Sequence, residues 1–137
     1  MLRKYLATIF LSIFTSARFL VAQDAATHTK DSLDTVKDNV RSGQAVIVDV
    51  REQGEWDAGH LKGAILAPSS KLKNESQATE LLKLLPKDKI IYTHCKAGGR
   101  SLTCGDILKA HGYDVRPLKP GYDDLIKSGF EKAPDTK

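Results

Sequence analysis

Cysteine is scarce in this chain: Cys95 and Cys104 are its two cysteines in 137 residues. That excludes a disulfide-dense scaffold and leaves room for at most one bridge. Five prolines and ten glycines are too few for a collagen-like or low-complexity chain, and no repeat is present. Phenylalanine is equally thin, with Phe10, Phe14 and Phe19 clustered near the start and Phe130 alone in the body. Acidic residues are missing altogether from residues 1–22, where Arg3, Lys4 and Arg18 are the charged residues. Those three account for most of the formal net charge of +4: the remaining residues carry 18 basic against 17 acidic groups, a net +1. A nucleic-acid-binding domain needs a basic face on its folded part, and a near-neutral body argues against one. The lysines at 71, 73, 83, 87 and 89 are interleaved with Glu75, Glu80 and Asp88, the pattern of a solvated face. The His and Cys residues lack the paired spacing of a zinc site, so no metal is expected.

The acid-free start reads as a targeting segment. Arg3 and Lys4 precede an apolar run, Leu6–Phe14, interrupted by Thr8 and Ser12, and Ala17 or Ala22 can end a cleavage site. A membrane span needs about 20 apolar residues, more than this run supplies. Residues 1–22 are therefore expected to be a cleaved signal peptide, and the protein to be exported to a periplasm or secreted. A retained membrane anchor and a mitochondrial presequence are the alternatives. Residues 23–31, polar and small, read as a linker, 32–130 as one domain, and 131–137 as a polar tail. Asn74-Glu75-Ser76 matches a glycosylation acceptor pattern, relevant only in a eukaryotic secretory route.

Within the body, apolar periodicity alternates between strand and helix. Ser32 can cap a helix with Leu33, Val36 and Val40 on one face, stopped at Gly43. Ala45–Val50 is apolar on both faces, as in a strand covered on both sides. An irregular stretch leads to a short strand, Ala64–Ala67, and a helix over Gln77–Leu85 ended by Pro86. A strand follows over Lys89–His94. The next helix, Arg100–His111, carries Cys104, Ile107, Leu108 and His111 on one face. A strand over Tyr113–Leu118 and a helix over Tyr122–Lys127 complete the pattern. Such alternation predicts a three-layer α/β domain with a mainly parallel sheet.

Ligands of such sheets bind beyond the carboxyl ends of the strands, and two reactive segments leave strands there. One is Asp49-Val50-Arg51-Glu52. The other, His94-Cys95-Lys96-Ala97-Gly98-Gly99-Arg100-Ser101, runs from a strand through a short loop into a helix. Gly98 and Gly99 let successive N–H groups turn inward, and a helix N-terminus adds its own free amides and dipole. With Lys96 and Arg100 beside it, Cys95 sits in a field that favours a thiolate nucleophile and an anionic ligand. His94 precedes the nucleophile, and strand alternation turns its side chain to the opposite face, a structural role. His60 falls in a turn and is expected to bond backbone locally, and Trp56 to pack. Cys104, on an apolar helix face, is expected to be buried and inert, with a Cys95–Cys104 bridge or a resolving thiol as alternatives.

These segments resemble the rhodanese-like sulfurtransferases in their single-domain form. CKAGGR fits the family's C-x-x-G-x-R loop. DVREQGEWDAGHLKGA is similar to its other signature, with Asp49, Arg51, Glu55, Gly59, His60, Gly63 and Ala64 in place. LKPGYDDLIKSGF resembles the terminal segment. Leu66 stands where an asparagine is common, and Pro120-Gly121 replaces a Gly-Gly pair, both outside the anion loop. The resemblance implies a five-stranded domain in which Cys95 carries a persulfide taken from a donor such as thiosulfate and passed to cyanide or a thiol. Arg100 would neutralise developing charge, and the backbone of Lys96, Ala97, Gly98, Gly99 and Ser101 would cradle the sulfur. Asp49 and Arg51 would brace the loop. The implied partners are a small anionic sulfur donor and a thiol (protein thiols included) or cyanide acceptor, with no cofactor, metal or nucleic acid. A membrane would be a partner only with the leader retained. A carrier that delivers persulfide without turnover is the first alternative. The second is a Cys-dependent phosphatase or arsenate reductase, since HCKAGGRS also resembles the tyrosine-phosphatase loop. Four residues separate Cys95 from Arg100, one fewer than in that loop, which suits a terminal sulfur better than a tetrahedral phosphate.

Overall fold

A computed structural model describes residues 24–135. The expected signal peptide lies outside the described residues. The first helix, α1 (Leu33–Arg41), starts where Ser32 Oγ accepts the Thr35 N–H at 3.1 Å, with Asp34 in its first turn and Arg41 in its last. Both placements suit the helix dipole. Four strands follow in one sheet: β1 (Ala45–Asp49), β2 (Ile65–Leu66), β3 (Ile90–His94) and β4 (Asp114–Val115), ordered β2-β1-β3-β4. Every pairing is parallel, so the α/β expectation holds. β1 and β3 pair from Ala45↔Ile90 to Asp49↔His94. This register brings both reactive segments out at one sheet edge.

Strand alternation divides the apolar residues between two faces. Val48, Val50, Ile91 and Cys95 join Leu72, Cys104 and Leu108 on one side. Those residues lie under α3 (Ser69–Leu72), α4 (Glu75–Leu82) and α5 (Gly99–Ala110). Ala45, Ile47 and Tyr92 join Val36, Leu118 and Leu125 on the other, beneath α1 and α6 (Tyr122–Lys127). The result is three layers, with a short helix, α2 (Gln53–Ala58), at the carboxyl edge of the sheet. Among the described residues no helix is long and apolar enough to cross a membrane.

Several boundaries differ from the sequence reading. The sheet has four strands and not five. At its outer edge, residues 24–31 lie beside the chain after β4, where Thr29 N–H donates to the Pro117 carbonyl at 2.7 Å. No ladder grows from that contact, because Pro117 has no N–H to return. β4 itself shrinks from the expected Tyr113–Leu118 to two residues, although Arg116 N–H and Leu118 N–H still reach the carbonyls of Ile91 and Thr93. The helix expected over 77–85 starts earlier, at Glu75, because Asn74 caps it by accepting the Gln77 N–H. His111, expected on an apolar face, is exposed, since α5 ends before it. The segment expected as a linker is seated on the domain, with Ala26 buried. The tail is also paired: Ala133 N–H donates to His60 and Lys62 N–H to Glu131.

Leu125 of α6 is fully buried between α1 and the sheet. Leu125→Ala is expected to lower unfolding free energy by about 2–5 kcal/mol, measured by urea denaturation. A loss below 1 kcal/mol would show that α6 is not part of the cooperative core.

Candidate active site

Cys95 follows the last residue of β3 and points to the α5 face. Its residue is 1% exposed, so the sulfur lies beneath the loop and not on its rim. The loop turns back over it at Gly98, which has φ +92° and ψ −17°. That left-handed conformation is open to glycine at little cost. At this turn the Gly98 N–H points at Cys95 Sγ, 3.0 Å away, and a donated N–H stabilises negative charge on sulfur. α5 begins at once, at Gly99, so the free amides of its first turn follow the loop directly.

The loop is held from several sides. Ser101 Oγ, buried, lies 2.7 Å from the Gly98 carbonyl and 2.9 Å from that of Leu118. Thr93 Oγ1 donates to the Ser101 carbonyl. Tyr122 N–H donates to the Cys95 carbonyl at 2.9 Å. Gly121 presses on the loop so closely that a Cβ there would stand 1.7 Å from the Lys96 carbonyl oxygen. Lys96, Ala97 and Gly99 are exposed along the outer rim.

Arg100 is placed near the thiol but engaged elsewhere. Its guanidinium forms a bidentate pair with Glu55 of α2, at 2.6 and 3.0 Å. This pairing holds the Glu55 carboxyl down at about 2, with the Glu52 N–H as a further donor. Glu52 in turn bonds the N–H and hydroxyl of Ser70, tying α2 to α3. Glu55 belongs to the DVREQGEWDAGHLKGA signature, yet its partnership with Arg100, across 45 positions, was not anticipated. The Glu52/Glu55 spacing of a capping box is the signal that could have revealed α2.

Asp49 and Arg51 form a second, deeper pair on the opposite face. Asp49 Oδ2 accepts from Arg51 Nη2 at 2.8 Å, Oδ1 from Nε at 3.0 Å, and Oδ1 also accepts the Arg51 N–H at 2.9 Å. Arg51 additionally donates to the Gly59 carbonyl and covers the Tyr122 ring, with Cζ 4.2 Å from the centroid. The expected brace is thus indirect: the pair fixes Tyr122, and Tyr122 holds Cys95. His94 points to this face, as strand alternation requires, with Nε2 3.7 Å from Asp49 and no hydrogen-bond partner. Burial pushes it below its ordinary value of 6.5, against the pull of Asp49. His60 bonds the Trp56 carbonyl and stacks on its ring at 3.6 Å. Cys95 and Cys104 are both free thiols, and burial pushes the Cys104 thiol up, away from reactivity. Beside the loop lies an open recess of about 310 Å³ lined by Arg51, Glu55, Gly59, Lys96, Tyr122 and Asp123.

A buried free thiol under a six-residue amide loop, at the carboxyl edge of a parallel sheet, accords with what matches this chain. The family model for the Rhodanese-like domain covers residues 32–128. The chain belongs to the rhodanese-like domain family. It is 36% identical over 98 residues to the "Probable adenylyltransferase/sulfurtransferase MoeZ" of Mycobacterium tuberculosis, a match covering 69% of this chain and 24% of MoeZ. This rhodanese-like chain therefore spans about a quarter of that relative. Among solved structures, a rhodanese-like domain protein from Staphylococcus aureus matches with a TM-score of 0.58 and 27% identity, covering 72% of this chain and 92% of that one. The human single-domain sulfurtransferase TSTD1 shares the fold, with a TM-score of 0.60 and 24% identity over 77% of this chain and 97% of its own.

Two outcomes follow from this geometry. Gly121→Ala forces the Lys96 backbone to move and is expected to cost at least about 1–3 kcal/mol, read by thermal melting; an unchanged melting point would mean the loop does not rest on Gly121. For His94, the unfolded chain binds a proton below pH 6.5 that the folded one resists, so stability declines as pH falls through that range. His94→Gln should flatten this slope in urea titrations between pH 7 and 5. An equal slope in both proteins would place the titration elsewhere.

Proposed function

We propose that this rhodanese-like domain is a sulfurtransferase working through a Cys95 persulfide. The observation that carries the reading is the Gly98 N–H donated to Cys95 Sγ within a loop short enough to close around one sulfur. The thiolate attacks the outer sulfur of an anionic donor such as thiosulfate; a new S–S bond forms, the old S–S bond breaks, and sulfite leaves with the electron pair. A thiophilic acceptor, cyanide or a thiol, then attacks the outer sulfur of the persulfide and regenerates the thiolate. No metal or organic cofactor enters either step.

The residues divide this work. The amides of Lys96, Ala97, Gly98, Gly99 and Ser101 form the cradle, where fixed dipoles oppose developing negative charge. Lys96 stands exposed at the rim, suited to drawing in a dianion. Arg100 supplies positive charge from the helix start, and Glu55 sets how much of it the donor meets. Asp49 and Arg51 support the loop through Tyr122. The acid-free leader supports export, with the domain acting in a periplasm or outside the cell.

Incubation with thiosulfate should add one sulfur to the intact mass, removed by cyanide as thiocyanate, and absent in Cys95→Ser. No gained sulfur together with hydrolysis of an aryl phosphate would overturn the proposal in favour of a phosphatase. Sulfur gained but turned over negligibly would replace the enzyme by a carrier.

A further inference from the structure

Residues 26–31 lie before the matched family region, which starts at residue 32, yet they are pinned to the domain at three points. Ala26 is buried and its N–H donates to Asp106 of α5. Its methyl packs so near Gly105 that a Cβ on that glycine would stand 3.3 Å away. Thr29 N–H reaches the Pro117 carbonyl. Asp31 Oδ2 accepts from Tyr92 Oη at 2.6 Å and from Arg116 Nη1 at 3.0 Å. Between the first two pins sits His28, half-buried, with Nε2 2.9 Å from the Gly98 carbonyl oxygen. A carbonyl only accepts, so Nε2 carries the proton.

That carbonyl belongs to the peptide joining Gly98 to Gly99. In a trans peptide the C=O and the following N–H point in opposite directions, and no cis bond occurs among the described residues. Holding the Gly98 carbonyl from the side of residues 26–31 therefore commits the Gly99 N–H to the other side. Ser101 Oγ reaches the same oxygen. Two consecutive glycines give the backbone here little stiffness of its own, so the orientation of this peptide rests on these two bonds to its carbonyl. Gly98 is also where a side chain would collide with His28, since a Cβ there would lie 3.1 Å from Nε2 and 2.8 Å from the Lys119 carbonyl.

We infer that His28 is a positioning residue for sulfur transfer: its hydrogen bond to Gly98 locks the Gly98–Gly99 peptide so that the Gly99 amide faces the reacting sulfur. The inference rests on the sulfurtransferase reading for its chemistry and on geometry for the contact. Lys96 and Arg100 attract the donor through charge, whereas a fixed amide acts as charge moves onto sulfur. Loss of the lock thus slows the chemical step more than it weakens donor binding.

The test uses the full chain, its His28→Ala and His28→Gln variants, and thiosulfate in single turnover. His28→Ala should lower the maximal rate of sulfur uptake about tenfold, the size of one lost hydrogen bond, with the half-saturating thiosulfate concentration changed less than about twofold. Gln carries an N–H at nearly the reach of Nε2 and should restore most of the rate. Amide hydrogen exchange at residues 97–101 should quicken in the Ala variant and recover in the Gln variant, at unchanged melting temperature. Equal rates and exchange in all three proteins would overturn the inference. So would an equal loss in both variants accompanied by a lowered melting temperature, which marks a general folding role. If the unsubstituted chain takes up no sulfur, the sulfur-transfer reading fails, while the exchange data still decide the His28 contact.

Discussion

The buried pair between Asp49 and Arg51 is the constraint on which the arrangement of the site depends. Asp49 is fully buried and Arg51 nearly so, and removing one partner of such a pair leaves an uncompensated charge that costs about 3–5 kcal/mol. What makes the burial tolerable is saturation. The carboxylate accepts a backbone and several guanidinium N–H groups, and the guanidinium also satisfies the Gly59 carbonyl and rests on an aromatic face. One ion pair thereby joins the end of β1, the turn after α2 and the start of α6. Because α6 holds Cys95 through a main-chain bond, the position of this thiol is inherited from charges on the far face of the sheet.

Two arginines thus play contrasting parts. Arg51 is almost wholly buried, with Nε and Nη2 committed to Asp49 and the Gly59 carbonyl. Arg100 remains partly accessible, and its partner Glu55 stands at the rim of an open recess. An anion arriving at the loop must compete with that carboxylate for the guanidinium. Under the proposed sulfur transfer this competition would favour donors of high charge density over weakly charged molecules of similar size, and the Glu55 pair keeps the arginine oriented toward α2.

Much of this was legible in the sequence, and the gaps have physical causes. Continuous apolar runs such as AVIVDV announced a doubly covered sheet, and the strand–loop–helix passage through CKAGGR located the reactive edge, which the Asp49↔His94 register then realised. Alternation alone placed His94 opposite to Cys95. α2 escaped because it buries no residue and so leaves no apolar period. α3, four residues long, is shorter than any periodic signal. Long-range polar partnerships, Glu55 with Arg100 and His28 with Gly98, leave no local trace. Residues 24–31 read as a linker because polar, small residues are what linkers are made of; their seating on the domain comes from backbone groups and a few side-chain acceptors. The fifth strand implied by resemblance failed at Pro117, where a missing N–H prevents a ladder.

Cys95 sits in the same apolar cluster as Cys104, Leu72 and Leu108, so the thiol proposed to carry sulfur is also a core atom. A persulfide extends from that position as a slender chain, whereas sulfinic or sulfonic oxygens would bring charge and bulk into the apolar layer. Over-oxidation at this cysteine would accordingly loosen the sheet–helix packing as well as end the chemistry. The thiol's redox history and the folded lifetime of the domain are coupled through one buried side chain.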